Sequence, residues 1–508
     1  MTGEVDVLVV GAGPTGLATA LMARHHGARV RIVERRTTAF RPSRAMILHS
    51  RALESLRPLG VTEGLLDRAD VSPTAKLYAG ARSVSARLAQ VDLPGTPFPP
   101  MVLIRQMDVE EVLTRALEEA GVVVERGTAL LELHPIANEH GVRALLGAAG
   151  RTEEVQSCFL AGCDGSDSTV RHCAGIGFVG GLHQEEVVLA DVNLDGLPAD
   201  GRLHVTVGEP GLVWLFPLGE GAPWRLLATR GANASGTSTG DAQVALDRLV
   251  QATGLAATVT GCRWSSVVAL QHRLAETFQR GPVFLVGDAA HVHSPAAAQG
   301  MNSGLLDAVN LGWKLAFAAR HRPAVTLLRS YDEERRPVAR HVIALTRLVF
   351  FAEASTSIWA RWGRRSLVPV AVPVAPHLLE QRWLMQAVFR LLSQRWVRYR
   401  NSPLSVRDGR FWDGPLPGDR LPDRDVTAAG RVRRLHALTS CPGIHLLLDR
   451  DAPTLPDAAL GRWVSVHRLD GTPGHGLVAV RPDGHVGYRS ADADLQKLRV
   501  WLDLVAAS

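Results

Sequence analysis

The chain has 508 residues, 46% of them hydrophobic and 21% charged, so it holds enough apolar sequence to fill two or three cores. Its net charge of +6 is modest for this length, and no basic cluster is interleaved with aromatic residues, so we expect no nucleic-acid partner. The sequence contains neither an apolar run of the roughly 18 residues that a membrane span needs nor a charged and then apolar leader. We therefore expect a cytoplasmic protein without a membrane partner.

Cysteine usage argues against a disulfide framework. The five cysteines are odd in number and include no C-x-x-C pair: Cys158, Cys163, Cys173, Cys262 and Cys441. This pattern is typical of reduced thiols. We expect neither a metal site nor a redox-active dithiol.

The first predicted elements are a strand, a tight turn and a helix. The apolar run Val5–Val10 is short enough for a buried parallel strand, and it leads directly into Gly11-Ala-Gly-Pro-Thr-Gly16. This segment has the G-x-G-x-x-G spacing of a dinucleotide-binding turn. Gly11 permits the turn, Gly13 lets the backbone approach a pyrophosphate, and Gly16 allows the next helix to pack closely.

The second predicted strand supplies a carboxylate for a nucleotide ribose. Val30–Val33 ends in Glu34, which stands 18 residues after Gly16. A carboxylate there can accept hydrogen bonds from a ribose diol, while the N-terminus of the helix Leu17–His26 faces the phosphates. By itself this fingerprint fits NAD, NADP and FAD.

Two later motifs decide between these cofactors. Cys163-Asp-Gly165 and Gly287-Asp-Ala-Ala-His291 follow the fingerprint at intervals of about 150 and 120 residues. The third motif comes after the apolar strand Pro282–Val286 and before the helical stretch Gly300–Ala319. A second carboxylate at a strand end can reach the ribityl chain of a flavin, which nicotinamide cofactors lack. The three motifs together predict one FAD site.

With these motifs the sequence resembles the group A flavoprotein aromatic hydroxylases over nearly all of its length. The resemblance rests on Gly11–Gly16, Glu34-Arg35, Arg44-Ala45, Arg51–Glu54, Gln106, Val109-Glu110, Asp164–Ser166, Ser168, Val170-Arg171, Gly287–His291, Pro295, Gln299–Asn302 and Asp307–Leu315. It implies an α/β fold with a discontinuous Rossmann-like FAD-binding domain, a β-sheet substrate domain and a thioredoxin-like C-terminal domain.

The resemblance and changes of pattern along the chain predict the domain limits. The FAD-binding domain with its helical connector comprises 1–175 and 276–400. The substrate domain comprises 176–275 with about 76–103, and its pattern predicts short alternating strands between Gly, Pro and Asp turns. The C-terminal domain comprises 405–508 and has only Cys441, so a structural or dimerisation role is favoured over redox work, and a homodimer is open.

The resemblance also implies how the flavin is held. Asp288 binds the ribityl chain, and the loop from Pro295 to Asn302 lies beneath the isoalloxazine. The backbone N–H groups of Gly300, Met301 and Asn302 stabilise negative charge at the N1/O2 edge of the ring, although a plain helix cap is the alternative. The implied cofactor-binding residues are Gly11, Gly13, Pro14, Gly16, Glu34, Arg35, Arg44, Gln106, Asp164, Asp288, Ala298, Gly300, Met301 and Asn302.

Several of these positions have an ordinary alternative. Arg44 and Gln106 match residues that hold the phosphate and ribityl groups, but an isolated Arg or Gln is commonly a surface or core polar residue. Asp164 is expected near the phosphates and the nicotinamide path, yet Asp-Gly alone is a turn. Because the fingerprint serves FAD, Arg35 does not establish NADP specificity, and NADPH (or NADH) as reductant rests on the resemblance.

The loop departs from the family at one point. Ala297-Ala298 stands where the family has Gly-Gly, so a positive φ or close contact with a moving flavin would carry a steric cost. If both residues have ordinary φ, nothing changes.

The catalytic and substrate-binding candidates are fewer. Pro295 begins the flavin loop. No general base is evident from the sequence: His49, His183, His291 and His293 could each deprotonate a phenol, and His49 is the one we expect in the pocket. Trp214 and Phe216 line the aromatic pocket or belong to the core of the sheet, since alternating aromatics are usual in half-buried strands.

The resemblance implies an NAD(P)H- and FAD-dependent monooxygenase. It would use O2 to hydroxylate a phenolic, polycyclic, polyketide-type aromatic through a flavin C4a-hydroperoxide. Baeyer–Villiger or epoxidising chemistry on the same scaffold stays open. An alternative of another class is a non-catalytic flavoprotein that serves as a binding module.

Overall fold

The computed structural model describes residues 5–39, 43, 45–79, 82–88, 91–136, 141–198, 200–208, 211–218, 221–231, 242–295, 298–320, 325–354, 381–411, 413–453, 460–471 and 476–505. Within these ranges the chain forms three large sheets and one two-stranded pair, with helices packed on them. This is the α/β class that the sequence predicts.

The strands, in chain order, are β1 (Val5–Val10), β2 (Val30–Glu34), β3 (Ile47–His49), β4 (Thr74–Ala79), β5 (Arg82–Arg87), β6 (Met101–Leu103), β7 (Val124–Arg126), β8 (Thr128–Pro135), β9 (Val142–Ala148), β10 (Arg151–Gly162), β11 (Phe178–Asp195), β12 (Leu203–Gly208), β13 (Gly211–Phe216), β14 (Trp224–Gly231), β15 (Thr258–Ala275), β16 (Gln279–Arg280), β17 (Val283–Leu285), β18 (His291–Val292), β19 (Val406–Asp408), β20 (Asp425–Ala428), β21 (Arg431–Arg434), β22 (Ile444–Asp449), β23 (Val464–Asp470), β24 (Leu477–Val480) and β25 (Val486–Ser490).

The α-helices are α1 (Pro14–His25), α2 (Ser50–Leu56), α3 (Thr62–Leu66), α4 (Gln106–Glu119), α5 (Thr169–Cys173), α6 (Ala242–Gln251), α7 (Gln299–Arg320), α8 (Val325–Ala354), α9 (Arg382–Leu392), α10 (Leu435–Leu438) and α11 (Leu495–Val505). Short 3-10 helices cover Arg57–Leu59 and Gly287–Ala289.

The first sheet has β1 at its centre, between β10 and β2. All three strands run parallel, and β17 joins β10 in the same direction. Parallel neighbours need crossover connections, and the apolar side chains of β1 are buried accordingly. Because β11 to β15 of the second sheet separate β10 from β17 in the chain, this domain is discontinuous, as predicted. Ligands bind at the carboxyl ends of such strands, where the first two glycine-containing motifs lie.

The second sheet has the order β18-β15-β11-β14-β13-β12-β4-β5. The prediction of short strands throughout this region was wrong, because β11 and β15 are each 18 residues long. The glycine at 180 suggests a turn, but here it lies inside β11, where a Cβ would come within 1.9 Å of the His272 carbonyl oxygen. Gly180 thus allows β11 and β15 to approach each other closely and does not reverse the chain.

The two faces of the second sheet have different partners. Val213 and Leu215 pack with α6 on one face, whereas Trp214 and Phe216 point to the other face and join a cluster with Met101 of β6. Successive side chains of a strand alternate between faces, so this division follows from the pleat. The second face therefore adjoins the first domain.

The third sheet forms the core of the C-terminal region, with the order β19-β25-β24-β22-β23-β20-β21. A buried ionic network joins it to the helices of the first domain. Glu334 of α8 pairs with Lys314 of α7 at 2.8 Å and with Arg481 at 2.6 Å, and Arg481 also pairs with Asp483. The limits 1–175, 276–400, 176–275 and 405–508 stay predictions.

In the ranges given above, no helix has both the length and the apolar character to cross a membrane. The same residues contain no group of three or more His, Cys, Asp or Glu that could hold a metal ion.

Candidate active site

The glycine turn brings the first two motifs into contact. Gly11 has φ +101°, and a Cβ there would lie 2.5 Å from the carbonyl oxygen of Cys163. A Cβ on Gly16 would lie 1.9 Å from the Gly11 carbonyl oxygen, so α1 passes directly over the turn. At Gly13, in contrast, a Cβ would meet no atom of the described residues within 4 Å beyond its chain neighbours. The turn therefore presents bare backbone at one point, at the N-terminus of α1, which begins with Pro14.

The carboxylate at the end of β2 is held over this turn. Glu34 accepts a hydrogen bond from the backbone N–H of Ala12 at 2.9 Å, and another from that of Arg36 at 3.0 Å. Its remaining lone pairs suit a ribose diol, as the sequence predicts. Arg35, the next residue, is exposed.

Gln106 is the first residue of α4. Its Nε2 donates to the Glu110 carboxylate at 2.9 Å, and its backbone N–H donates to the Ala45 carbonyl. Burial raises the pKa of Glu110 to about 7, against the opposing effect of the Gln106 hydrogen bond. The amide of Gln106 is thus engaged within the protein, and its role toward a cofactor stays a prediction.

The buried carboxylate of Asp307 anchors the third motif, Gly287–His291. Asp307 of α7 accepts hydrogen bonds from the Gly287 N–H at 3.3 Å, from His291 Nε2 at 2.7 Å and from Arg335 Nε at 2.5 Å. Burial alone would raise the pKa of Asp307, but the Arg335 and His291 charges hold it below its ordinary value. Asp288, between two buried neighbours, is exposed on this fixed turn.

The first turn of α7 is tied to the strand β3. Asn302 Oδ1 accepts a hydrogen bond from the His49 backbone N–H at 2.9 Å, and its Nδ2 donates to the Ile47 carbonyl at 3.0 Å. Apart from its chain neighbours and its own helix backbone, a Cβ at Gly300 would meet no atom of the described part of the chain within 4 Å, while Met301 packs partly on the core. The N-terminal backbone of α7 is thus accessible at Gly300 and positioned by Asn302.

The loop before α7 contains the unusual alanines. Ala298 has φ +52°, which an L-residue rarely adopts, so the steric cost foreseen from the sequence applies at this position. Its N–H donates to the Pro295 carbonyl at 3.0 Å, and its carbonyl accepts from Asn302. Pro295 is exposed, and Ala297 lies outside the described residues, as does Arg44.

An aromatic wall faces this loop from the second sheet. The Trp214 and Phe216 rings are stacked, with centroids 5.8 Å apart and an interplanar angle of 11°. Ala298 packs against the same apolar cluster. His49 follows Ile47 of this cluster by two residues and is buried, being 2% exposed. The structure therefore brings the predicted substrate residues to the flavin loop, whereas their contact with a substrate stays a prediction.

The Asp164 carboxylate forms hydrogen bonds with groups four and six residues further along the chain. Its carboxylate accepts hydrogen bonds from the Ser168 hydroxyl at 2.6 Å and from the Val170 N–H at 3.0 Å, which fixes the N-terminus of α5. Burial raises the pKa of Asp164 above its ordinary value. These bonds favour the local interpretation of the Asp-Gly motif, and its cofactor role stays a prediction.

Sequence reasoning missed a buried ion pair on the face of the second sheet that carries Trp214 and Phe216. Arg225 and Asp191 are each 1% exposed and make paired hydrogen bonds of 2.5 and 2.9 Å. Arg225 also donates to the Ser43 carbonyl, next to Arg44. Asp191 and Arg225 each interrupt an apolar run, and that interruption is the one signal the sequence offers.

These features fit FAD rather than a nicotinamide cofactor alone. Gly13 leaves backbone open for a pyrophosphate, Glu34 offers lone pairs for a ribose, and Asp288 stands exposed for a ribityl chain. Such a group would supply the redox chemistry, while the protein would bind and orient it. Fold and site together define a flavin-binding α/β protein.

Comparisons with known proteins agree. The family model of the FAD binding domain matches residues 4–346, and that of the aromatic-ring hydroxylase C-terminal region matches residues 414–506. The chain belongs to the FAD-dependent aromatic-ring hydroxylases.

Individual relatives cover nearly the whole chain. The 6-methylpretetramide 4-monooxygenase of Streptomyces rimosus is 30% identical over 97% of this chain and 93% of its own length. The rifampicin monooxygenase of Streptomyces venezuelae is 33% identical over 99% of both proteins. The structure of OxyS anhydrotetracycline hydroxylase from Streptomyces rimosus matches with a TM-score of 0.79 and 28% identity, covering 98% of each chain.

These matches confirm the predicted enzyme class. The protein is an FAD-dependent monooxygenase that uses O2, and NAD(P)H is the usual reductant of such enzymes. The comparisons do not favour the alternatives that the sequence left open.

Proposed function

We propose that this monooxygenase hydroxylates a phenolic, polycyclic aromatic of the polyketide type. The observation that carries the proposal is the stacked pair Trp214–Phe216, which shares one apolar cluster with Ala298 of the flavin loop. A planar ring system can stack on such a wall. Relatives named for 6-methylpretetramide and anhydrotetracycline support this substrate class.

The chain's own residues would divide the work in the following way. Glu34 would bind the ribose and Asp288 the ribityl chain, while the open backbone at Gly300 would face the flavin ring. His49 would hold a proton near the phenol, and Pro295 would border the loop. The apolar cluster would exclude water from the reacting groups. NADPH is the proposed reductant, and the cytoplasmic location and the homodimer remain predictions.

Product analysis with isotopically labelled O2 tests this function. The purified enzyme is incubated with FAD, NADPH and a set of polycyclic phenols, and each product is examined by mass spectrometry and NMR. One labelled oxygen in a new aromatic C–OH supports hydroxylation. A labelled ester or epoxide would instead support the Baeyer–Villiger or epoxidising alternative. Retained FAD without phenol-stimulated NADPH oxidation would support the non-catalytic binding module.

A further inference from the structure

We propose that Met385 and Phe389 of α9 are specificity-determining residues that set the size of the ring system accepted at the site. The proposal rests on the proposed function and deepens it. It also assigns a chemical class to the part of the substrate that reaches α9, namely an uncharged, apolar ring portion.

The helix α9 is buried on one face only. Met385 is 9% exposed and Phe389 is 3% exposed, and they stand four residues apart, so they lie one above the other on one helix face. Trp383, Val388 and Leu391 of the same helix are 68%, 39% and 42% exposed. The helix therefore directs two large flexible or aromatic side chains inward.

The two buried side chains of α9 pack into the apolar cluster beside the flavin loop. Met385 and Phe389 belong to the apolar cluster that contains Phe216, with Trp214 and Ala298 packed against it. The cluster thus joins the stacked aromatic wall, the flavin loop and α9. A ring system lying between the wall and the loop would meet α9 at its far edge.

Hydrogen bonds at its middle and at its C-terminal end hold α9 in place. Near the middle, Gln386 Nε2 donates to the Asp92 carbonyl at 2.9 Å. At the C-terminal end, Gln299 Nε2 of α7 donates to the Leu392 carbonyl at 2.6 Å, and Gln394 Nε2 donates to Gln299 Oε1 at 2.8 Å. Gln299 is the first residue of α7, so these bonds fix α9 relative to the flavin loop.

The cluster around α9 is apolar and rich in methionine. Its members are apolar and include Met46, Met101 and Met385. Methionine side chains adapt to differently shaped partners. The buried charges on this face of the sheet, Arg225 and Asp191, are already paired with each other. A carboxylate placed among the described members of this cluster would lose its hydration and contact apolar groups, so an uncharged ring portion is the ligand that fits.

Equilibrium binding and turnover with phenols of two, three and four fused rings test this inference. Affinity is followed by perturbation of the flavin absorbance, which needs no turnover, and kcat/KM is measured in parallel. In Phe389→Ala the ratio of four-ring to two-ring affinity should rise about tenfold, since the loss of pocket contacts changes discrimination by that order. In Phe389→Trp the same ratio should fall. Val388→Ala, on the exposed side of the same helix, should leave it within about twofold.

Phe389→Leu guards against loss of folding in the alanine variant, because it preserves most of the apolar volume. It should shift the ratio in the same direction with normal FAD content. Unchanged ratios in folded Phe389→Leu and Phe389→Trp would overturn the inference, and so would a wild-type enzyme that binds none of the three ring systems. If wild type binds phenols with these trends but oxidises none, the proposed function fails while the assignment of α9 stands.

Discussion

The hydroxyl of Thr15 lies against Gly287, so close that a Cβ added to Gly287 would come within 2.8 Å of its oxygen. A Cβ added to Gly304 of α7 would come within 2.3 Å of the same oxygen. Thr15 belongs to the glycine turn, and Gly287 begins the third motif, directly after β17. The two turns and α7 therefore meet at one side chain, which explains how motifs far apart in sequence form one site.

Asp288→Ala should give protein that is largely free of FAD. The carboxylate is exposed on a turn held by the buried Asp307, so its removal deletes the proposed ribityl-binding group while leaving the anchor intact. The ratio of flavin to protein absorbance after purification measures the loss. Asp67→Ala, at an exposed helix end, is the control and should retain its flavin. Normal occupancy in Asp288→Ala would count against the ribityl assignment.

Replacing Ala297 and Ala298 with glycine should raise the rate of flavin reduction by NADPH. Ala298 has φ +52°, and glycine removes a penalty of about 1 kcal/mol in that region, which eases loop movement. The rate is measured by anaerobic stopped-flow absorbance. Ala149→Gly is the matched control, because Ala149 has φ +48° in the hairpin between β9 and β10. An equal rate in the double variant and wild type would show that loop sterics do not limit reduction.

Acid should destabilise the protein through buried histidines. Burial lowers the pKa of His26 to about 3 and that of His445 to about 4. Because an unfolded histidine titrates near pH 6.5, the unfolded chain binds these protons more readily, and stability falls as the pH drops below about 6.5. His445→Gln should therefore lose less Tm than wild type between about pH 7.5 and 5, in thermal melts. The control, His134→Gln, changes an exposed side chain and should follow wild type. Parallel curves for all three proteins would contradict this origin of acid sensitivity.

Arg481→Met should be strongly destabilising. Arg481 is fully buried and donates to both carboxylate oxygens of Glu334, at 2.6 and 2.8 Å, and to Asp483. Removing it leaves buried carboxylate charge without its main partner, which costs about 3–5 kcal/mol. Denaturant unfolding measures the free energy. Arg400→Met, which breaks an exposed pair with Asp419, should change it little. Similar losses in both variants would refute a special role for the buried network.

The flavin motifs were predictable because each depends on a short stretch of chain. Gly11, Gly13 and Gly16 are read from their spacing, and Glu34 from its place after a strand. The stacking of Trp214 and Phe216 also follows from strand alternation, although the sequence did not show which face met the flavin loop.

Other features depend on contacts between distant segments. The Asp191–Arg225 pair requires the register of β11 against β14, which no local pattern specifies. The lengths of β11 and β15 were misjudged because they depend on the pairing of these two distant strands along nearly their full length. The position of α9 depends on Gln299 and Gln394, which are 95 residues apart.

Anaerobic stopped-flow reduction of the purified flavoprotein by NADPH, with and without polycyclic phenols, followed by admission of O2, tests the proposed hydroxylase most directly. We expect a phenol to accelerate bleaching of the flavin. After O2 is admitted, one hydroxylated product should form for each flavin reoxidised. Bleaching at the same rate with every phenol and without any, together with reoxidation that yields no hydroxylated product, would contradict the proposed function.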